Sequence, residues 1–150
     1  MRMAKKFRFT LQTVLMHREH LQEQAQIALS HALALQVKLE GELTQLQQEY
    51  AEQEKARPSM GPGELIMRTI AYLEFLKYAI VLKAKKVEEQ KVEVEAARKV
   101  LVAKSRDTKA LEILRDHQQE EFRKISNVKE TKLLDDFGST QFIRLQASHD

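Results

Sequence analysis

The sequence contains no cysteine and no tryptophan, and only 4 glycines and 2 prolines in 150 residues. Without cysteine there is no disulfide framework, no thiolate nucleophile and no Cys-ligated zinc. A chain of average composition and this length carries about 18 Gly plus Pro, so turn-forming residues are scarce. β-Sandwiches, β-barrels and Rossmann-like sheets reverse direction every dozen residues or so and need such residues. Those folds are excluded. A charge excess is lacking too: 25 Lys+Arg stand against 22 Asp+Glu, a net charge of +3. A dedicated nucleic-acid binder usually shows a basic stripe without matching acids. The one unopposed basic cluster is Arg2, Lys5, Lys6 and Arg8, short and interleaved with Phe7 and Phe9. No apolar h-region follows it, so it does not read as a secretory signal, and a cytoplasmic protein is expected.

What the chain does contain is Ala, Glu, Lys, Leu and Arg, which make up 76 of the 150 residues. That is the composition of a long helix or coiled coil. The breakers are concentrated: Pro58, Gly61, Pro62 and Gly63 form one turn signal. Gly41 stands alone in a helical pattern. Gly138, after Asp135, Asp136 and Phe137, reads as a helix stop. The expected organisation is one all-α domain: a helix over about 10–55, a turn at 58–63, a helix over about 64–137 and a frayed tail at 138–150.

Periodicity supports both helices. In the second, Ile66, Leu73, Ile80, Val87, Val94 and Leu101 follow one another at heptad spacing. The accompanying d positions include Leu76, Ala97, Leu111 and Ile125, interrupted by Lys83, Gln90 and Lys104. A sustained heptad keeps its apolar seam against a partner helix through left-handed supercoiling. In the first helix, Leu11, Val14, Leu21, Ala25, Ala28, Ala32, Leu35, Leu39, Leu43, Leu46 and Tyr50 keep helical steps, with an Ala-rich middle that favours close approach. A short turn between two such helices implies a long antiparallel two-helix coiled-coil hairpin.

At 1.5 Å per residue the helices span roughly 70 Å and roughly 110 Å. Folding about Met60 sets Leu43 opposite about Lys77, Tyr50 opposite about Ile70 and Leu11 opposite about Lys109. An overhang from about Glu112 to Phe137 is then left without a partner in the chain, although it carries Phe122, Ile125, Leu133 and Leu134. A helix gains most of its stability by burying an apolar face, so the overhang predicts a binding partner, a second copy or disorder. The turn end has surplus apolar surface as well: Leu65–Leu82 is apolar at 14 of 18 positions. Beside the seam it carries Leu65, Tyr72, Phe75, Ala79 and Leu82, which either mark an interaction site or wrap the seam near a wide turn. Arg68, Glu74 and Lys77 within it oppose a transmembrane reading.

No constellation for chemistry stands out. His17, His20, His31, His117 and His149 include no His-x-x-x-His pair; His17 and His20, with Glu19 between them, read as a solvated face. Ser30, Ser105 and Ser126 lie in helical surroundings without a base held against them. The Gly61-Pro62-Gly63 turn lacks the Lys and Ser/Thr of a phosphate loop. No catalysis, cofactor, metal or small-molecule substrate is expected, because a hairpin two helices thick offers no concave site.

The order of local motifs carries a resemblance. The chain opens with Phe7-Arg8-Phe9-Thr10-Leu11-Gln12-Thr13-Val14-Leu15, followed by Arg18-Glu19 and a Leu/Ala/Gln-rich helix to Glu49-Tyr50. Later come Ala110-Leu111-Glu112-Ile113-Leu114-Arg115, Glu120-Glu121-Phe122 and Lys132-Leu133-Leu134-Asp135-Asp136. This resembles the flagellar export protein FliJ family, with its Lys-x-Leu-Glu-x-Leu step, its Glu-aromatic step and a terminal Leu-Asp-Glu. Lys109 to Leu114 matches the first of these, while Asp136 departs from the usual Glu of the last.

The resemblance implies a non-enzymatic component of the flagellar type III protein export apparatus, folded like the stalk subunit of a rotary ATPase. It implies docking into the hexameric export ATPase, contact with the export-gate membrane protein and escort of export chaperones. Such a component would be cytoplasmic and peripheral to the inner face of the cell membrane. The implied ATPase-facing residues are Phe9, Leu11, Leu15, Arg18, Phe122, Ile125 and Leu134. The implied gate patch is Leu43, Leu46, Tyr50, Tyr72, Leu76, Ala79 and Lys83. Rival readings are the stalk of a virulence type III secretion system, a self-associating structural coiled coil, and a peripheral membrane binder anchored by Arg2, Lys5, Lys6, Phe7 and Phe9.

Overall fold

The computed structural model describes residues 5–148, so Arg2 and His149 lie outside the described residues. Two helices account for nearly all of it: α1, Gln12–Lys55, and α2, Gly63–Ala147. There is no strand among the described residues. The fold is an antiparallel two-helix coiled-coil hairpin whose second helix is the longer.

Residues 56–62 reverse the chain for reasons written in their types. Pro58 disfavours helical backbone at Arg57 before it, and the last turn of α1 tightens as the Arg57 amide donates to the Glu54 carbonyl at 3.4 Å. Gly61 adopts a φ of 141°, where a side chain is strained. The Pro62 carbonyl then accepts from Leu65 and Ile66 at 3.0 and 3.3 Å, opening α2. Lys55 in the last turn of α1 and Glu64 in the first turn of α2 each suit the helix dipole.

The chain divides into two compact units, each built from segments of both helices: His20–Ser105, and Met1–Glu19 with Arg106–Asp150. In the first, Ala25, Leu73, Leu76, Val87 and Val94 are buried. Leu29, Ala32, Leu39, Leu43, Leu46, Ile80, Ala97 and Leu101 are half-buried beside them. The α2 heptad is therefore the seam, as its spacing predicts. Lys83 and Gln90, which interrupt it in sequence, bridge the helices: Lys83 Nζ donates to Glu42 Oε2 at 2.7 Å, and Gln90 Nε2 to the Ala32 carbonyl at 2.9 Å.

The facing stripe on α1 differs from the predicted one. Leu11, Val14, Ala28 and Leu35 are exposed, while Leu15 is fully buried and Leu29 is half-buried. Several faces of this Leu/Ala-rich helix carry apolar residues, so steps of three and four can be traced along more than one of them. The pairing register also differs from a fold about Met60. Lys77 meets Tyr50 rather than Leu43, its ammonium 6.0 Å from the ring, and Lys83 reaches Glu42. These contacts centre the reversal closer to Pro62 than to Met60, past the bend at residues 59–61.

In the second unit, Phe9, Leu15 and Thr108 are buried. Phe7 packs against Phe122 in a tilted ring pair with centroids 5.7 Å apart, and Arg18 pairs with Asp107 at 3.4 Å. Residues 5–9 are not helical, and an extended segment covers about twice as much length per residue as a helix. For that reason α2 is covered further than two helices alone would allow. The uncovered stretch begins at 127 rather than near Glu112, and every described residue from there onward is exposed.

Gly138 does not stop α2, which continues to Ala147. Its φ is not positive, and nothing lies within 4 Å of where its Cβ would be. One interior glycine costs about 1 kcal/mol relative to alanine, which leaves the flanking helix formers free to continue. Thr140 Oγ1 donates to the Asp136 carbonyl across this point at 2.8 Å.

Candidate partner-binding surfaces

A partner can use only side chains that the hairpin leaves uncovered, and that criterion sorts the candidates. In the unit containing the termini, Phe9 and Leu15 are core residues, and Phe122 is half-buried against Phe7. Arg18 is held by Asp107 at 3.4 Å. Leu11 lies at the border of exposure, whereas Ile125 is 56% and Leu134 71% exposed. The seven residues thus do different work. Phe9, Leu15, Arg18 and Phe122 shape the packing of Phe7–Glu19 on α2, and Ile125 and Leu134 present apolar surface, with Leu11 at its margin.

Sequence reasoning missed part of this surface. Phe142, Ile143 and Leu145 are exposed on α2 beyond Gly138, hidden from prediction by the expected stop there. An open groove of about 560 Å³ is lined by Phe7, Arg8, Phe9, Gln12, Arg115 and Gln119. The signal available for it was Arg115, a charged residue at a heptad a position.

In the unit His20–Ser105, Leu76 is 2% exposed and serves the seam. Leu43, Leu46, Tyr50, Ala79 and Lys83 are half-buried, and Tyr72 is exposed. Tyr72 Oη donates to Glu49 Oε1 at 3.2 Å and its ring stacks on Phe75 at 6.4 Å. Desolvation, then the Glu49 hydrogen bond, raises the Tyr72 pKa. The Lys77 pKa is also raised, first by the neighbouring Glu74 carboxylate and then by Tyr50. The Lys83 hydrogen bond holds the Glu42 carboxyl below its usual value. These groups brace the rim of an apolar patch and present no nucleophile activated by a base. Among the described residues no three or more His, Asp or Glu side chains gather as metal ligands. Nor is any helix there long and apolar enough to cross a membrane.

A protein-family model described as Flagellar FliJ protein matches residues 7–147. The chain belongs to the FliJ family. No curated protein and no solved structure matches it significantly. Membership makes this FliJ-family chain a component of flagellar protein export, and hence of motility. The match begins at Phe7 and ends at Ala147, so it takes in both helices, the aromatic segment packed on α2 and the uncovered end of α2.

Proposed function

We propose that the chain acts as a single coiled-coil stalk of the flagellar type III export apparatus, resembling a rotary-ATPase gamma subunit and working without catalysis. It docks into the hexameric export ATPase, contacts the export-gate membrane protein and escorts export chaperones. It takes no nucleic acid or small-molecule substrate, and it works in the cytoplasm at the inner face of the cell membrane.

The family match over 7–147 carries this reading. The uncovered apolar side chains support it, because a helical surface of that kind in water is expected to be covered by a partner. In the proposal, Ile125 and Leu134 touch the ATPase, with Leu11 at the margin, while Phe9, Leu15, Arg18 and Phe122 hold the N-terminal segment in place. Tyr72 and Ala79 touch the gate, supported by Leu43, Leu46, Tyr50, Leu76 and Lys83.

Paired aspartate substitutions test the division. Tyr72→Asp with Ala79→Asp is expected to abolish binding to the cytoplasmic domain of the gate protein and to leave ATPase binding and helicity intact. Ile125→Asp with Leu134→Asp is expected to do the reverse. Survival of gate binding in the first variant, or of ATPase binding in the second, removes that surface from the account.

A further inference from the structure

The groove of about 560 Å³ beside the N-terminal segment lies wholly within one compact unit. Arg8 and Arg115 both line it, with Gln12, Gln119, Phe7 and Phe9, and no acidic residue does. Two cations on one space repel each other unless an anion joins them. Arg8 has no hydrogen bond or ion pair among the described residues. Arg115 reaches its chain neighbour Asp116, with Nε and Nη2 each 3.4 Å from the same oxygen. That is long for a charge-assisted bond, which runs about 2.7–2.9 Å. The other acids of this stretch of α2 do not neutralise the groove. Glu112 does not line it, Glu120 holds Arg123 at 2.8 Å, and Glu121 lies 3.3 Å from His117.

The remaining lining says what kind of anion fits. The side-chain amides of Gln12 and Gln119 have no hydrogen-bond partner among the described residues, and each offers an acceptor as well as donors. Residues 5–9 are not helical. The Phe9 carbonyl accepts from the Gln12 amide at 3.1 Å, and no other backbone hydrogen bond engages residues 5–9 among the described residues. An extended backbone with free N–H and C=O groups can pair with a second extended chain. Inorganic phosphate needs donors alone and would leave these acceptors idle, whereas a peptide backbone brings both donors and acceptors. Phe7 and Phe9 add an apolar wall, and the volume falls within the range of about 300–1,000 Å³ for binding clefts.

We propose that this groove binds an extended acidic peptide segment of a partner protein. Arg8 and Arg115 hold a carboxylate of that segment, and Gln12, Gln119 and the backbone of Phe7–Phe9 hydrogen-bond its main chain. The site uses none of Ile125, Leu134, Tyr72 or Ala79, so it stands or falls apart from the ATPase and gate contacts.

Nitrogen-15-labelled full-length protein, titrated with the capped pentapeptide acetyl-Gly-Glu-Leu-Glu-Gly-amide, tests this. Saturable shifts are expected at the backbone amides of Phe7, Arg8 and Phe9 and the side-chain amides of Gln12 and Gln119. The matching peptide with glutamine in place of glutamate is expected to bind about tenfold more weakly, as for loss of a charge-assisted hydrogen bond. Arg8→Gln is expected to weaken the glutamate peptide by a similar factor. Arg8 is exposed and outside both helices, so this variant keeps its fold, which circular dichroism checks. Arg115→Lys keeps the charge but loses the planar fork and is also expected to weaken binding. Four results would each overturn the proposal: no saturable shift, equal affinity for the glutamine peptide, unaltered binding by Arg8→Gln, or inorganic phosphate giving the same shifts with equal affinity.

Discussion

Lys83 reaches across the hairpin to Glu42, with Nζ 2.7 Å from Oε2, from a heptad position that an apolar residue would ordinarily fill. The lysine side chain is 22% exposed and the glutamate 36%, so the pair sits at the edge of the seam. An ion pair there contributes little net stability, but it penalises any register in which either charge is left against apolar surface. Replacing both residues by leucine is therefore expected to raise the thermal midpoint while broadening the distribution of interhelical distances. Spin-label distance measurement across α1 and α2 checks this. An unchanged narrow distribution would mean that the apolar layers alone set the register.

The same pair makes the hairpin sensitive to acid. The folded-state pKa of Glu42 is depressed, mainly by the Lys83 hydrogen bond. A depressed carboxyl contributes stability above its unfolded pKa and loses it as pH falls through the folded value. The thermal midpoint of the native chain is expected to exceed that of Glu42→Gln at neutral pH, with the gap closing below the ordinary glutamate range. Melting curves over about pH 7 to pH 3 bracket the ordinary value of roughly 4.3. A gap that persists through the acid range would contradict the assignment.

Core truncation should separate packing from recognition. Among the described residues, Leu15 and Leu76 are the two fully buried large side chains, one in each unit. Leu76→Ala and Leu15→Ala are each expected to cost about 2–3 kcal/mol, the lower part of the range for buried leucine, because a two-helix seam can partly collapse. Urea unfolding gives the measurement. Ile125→Ala, at an exposed position, is expected to change stability by less than about 0.5 kcal/mol.

These residues also mark how far the sequence could be read. The α2 seam was legible because Leu73, Ile80, Val87 and Val94 keep an unbroken heptad spacing that the flanking stripe of Leu65–Leu82 does not continue beyond Leu82, and the turn because its breakers are clustered. The α1 stripe was harder: Val14 and Leu15 are neighbours of similar character, and only contact with α2 distinguishes the exposed one from the buried one. The coverage of Phe122 by Phe7 depended on an extended run that no periodicity announces. The division of candidate residues into packing and exposed classes follows from burial, which composition does not contain.

Gly138 supplies a further prediction, since its backbone is ordinary helix with open space where a Cβ would stand. Gly138→Ala is expected to strengthen the end of α2 by about 0.5–1 kcal/mol. Slower amide exchange from Leu133 to Leu145 would report it. Gly61→Ala, at a φ of 141°, is expected to destabilise the turn instead. Gly138→Ala also tests whether a pre-ordered helix end helps ATPase binding, by cutting the ordering cost that binding would otherwise meet.

The most direct test of the stalk account is sedimentation velocity of the full chain mixed with the cognate flagellar export ATPase. The account predicts that the chain sediments with the ATPase and raises its hexamer fraction, and that Ile125→Asp with Leu134→Asp abolishes both effects. An ATPase whose hexamer fraction is indifferent to the chain, with the two proteins sedimenting separately, would contradict it.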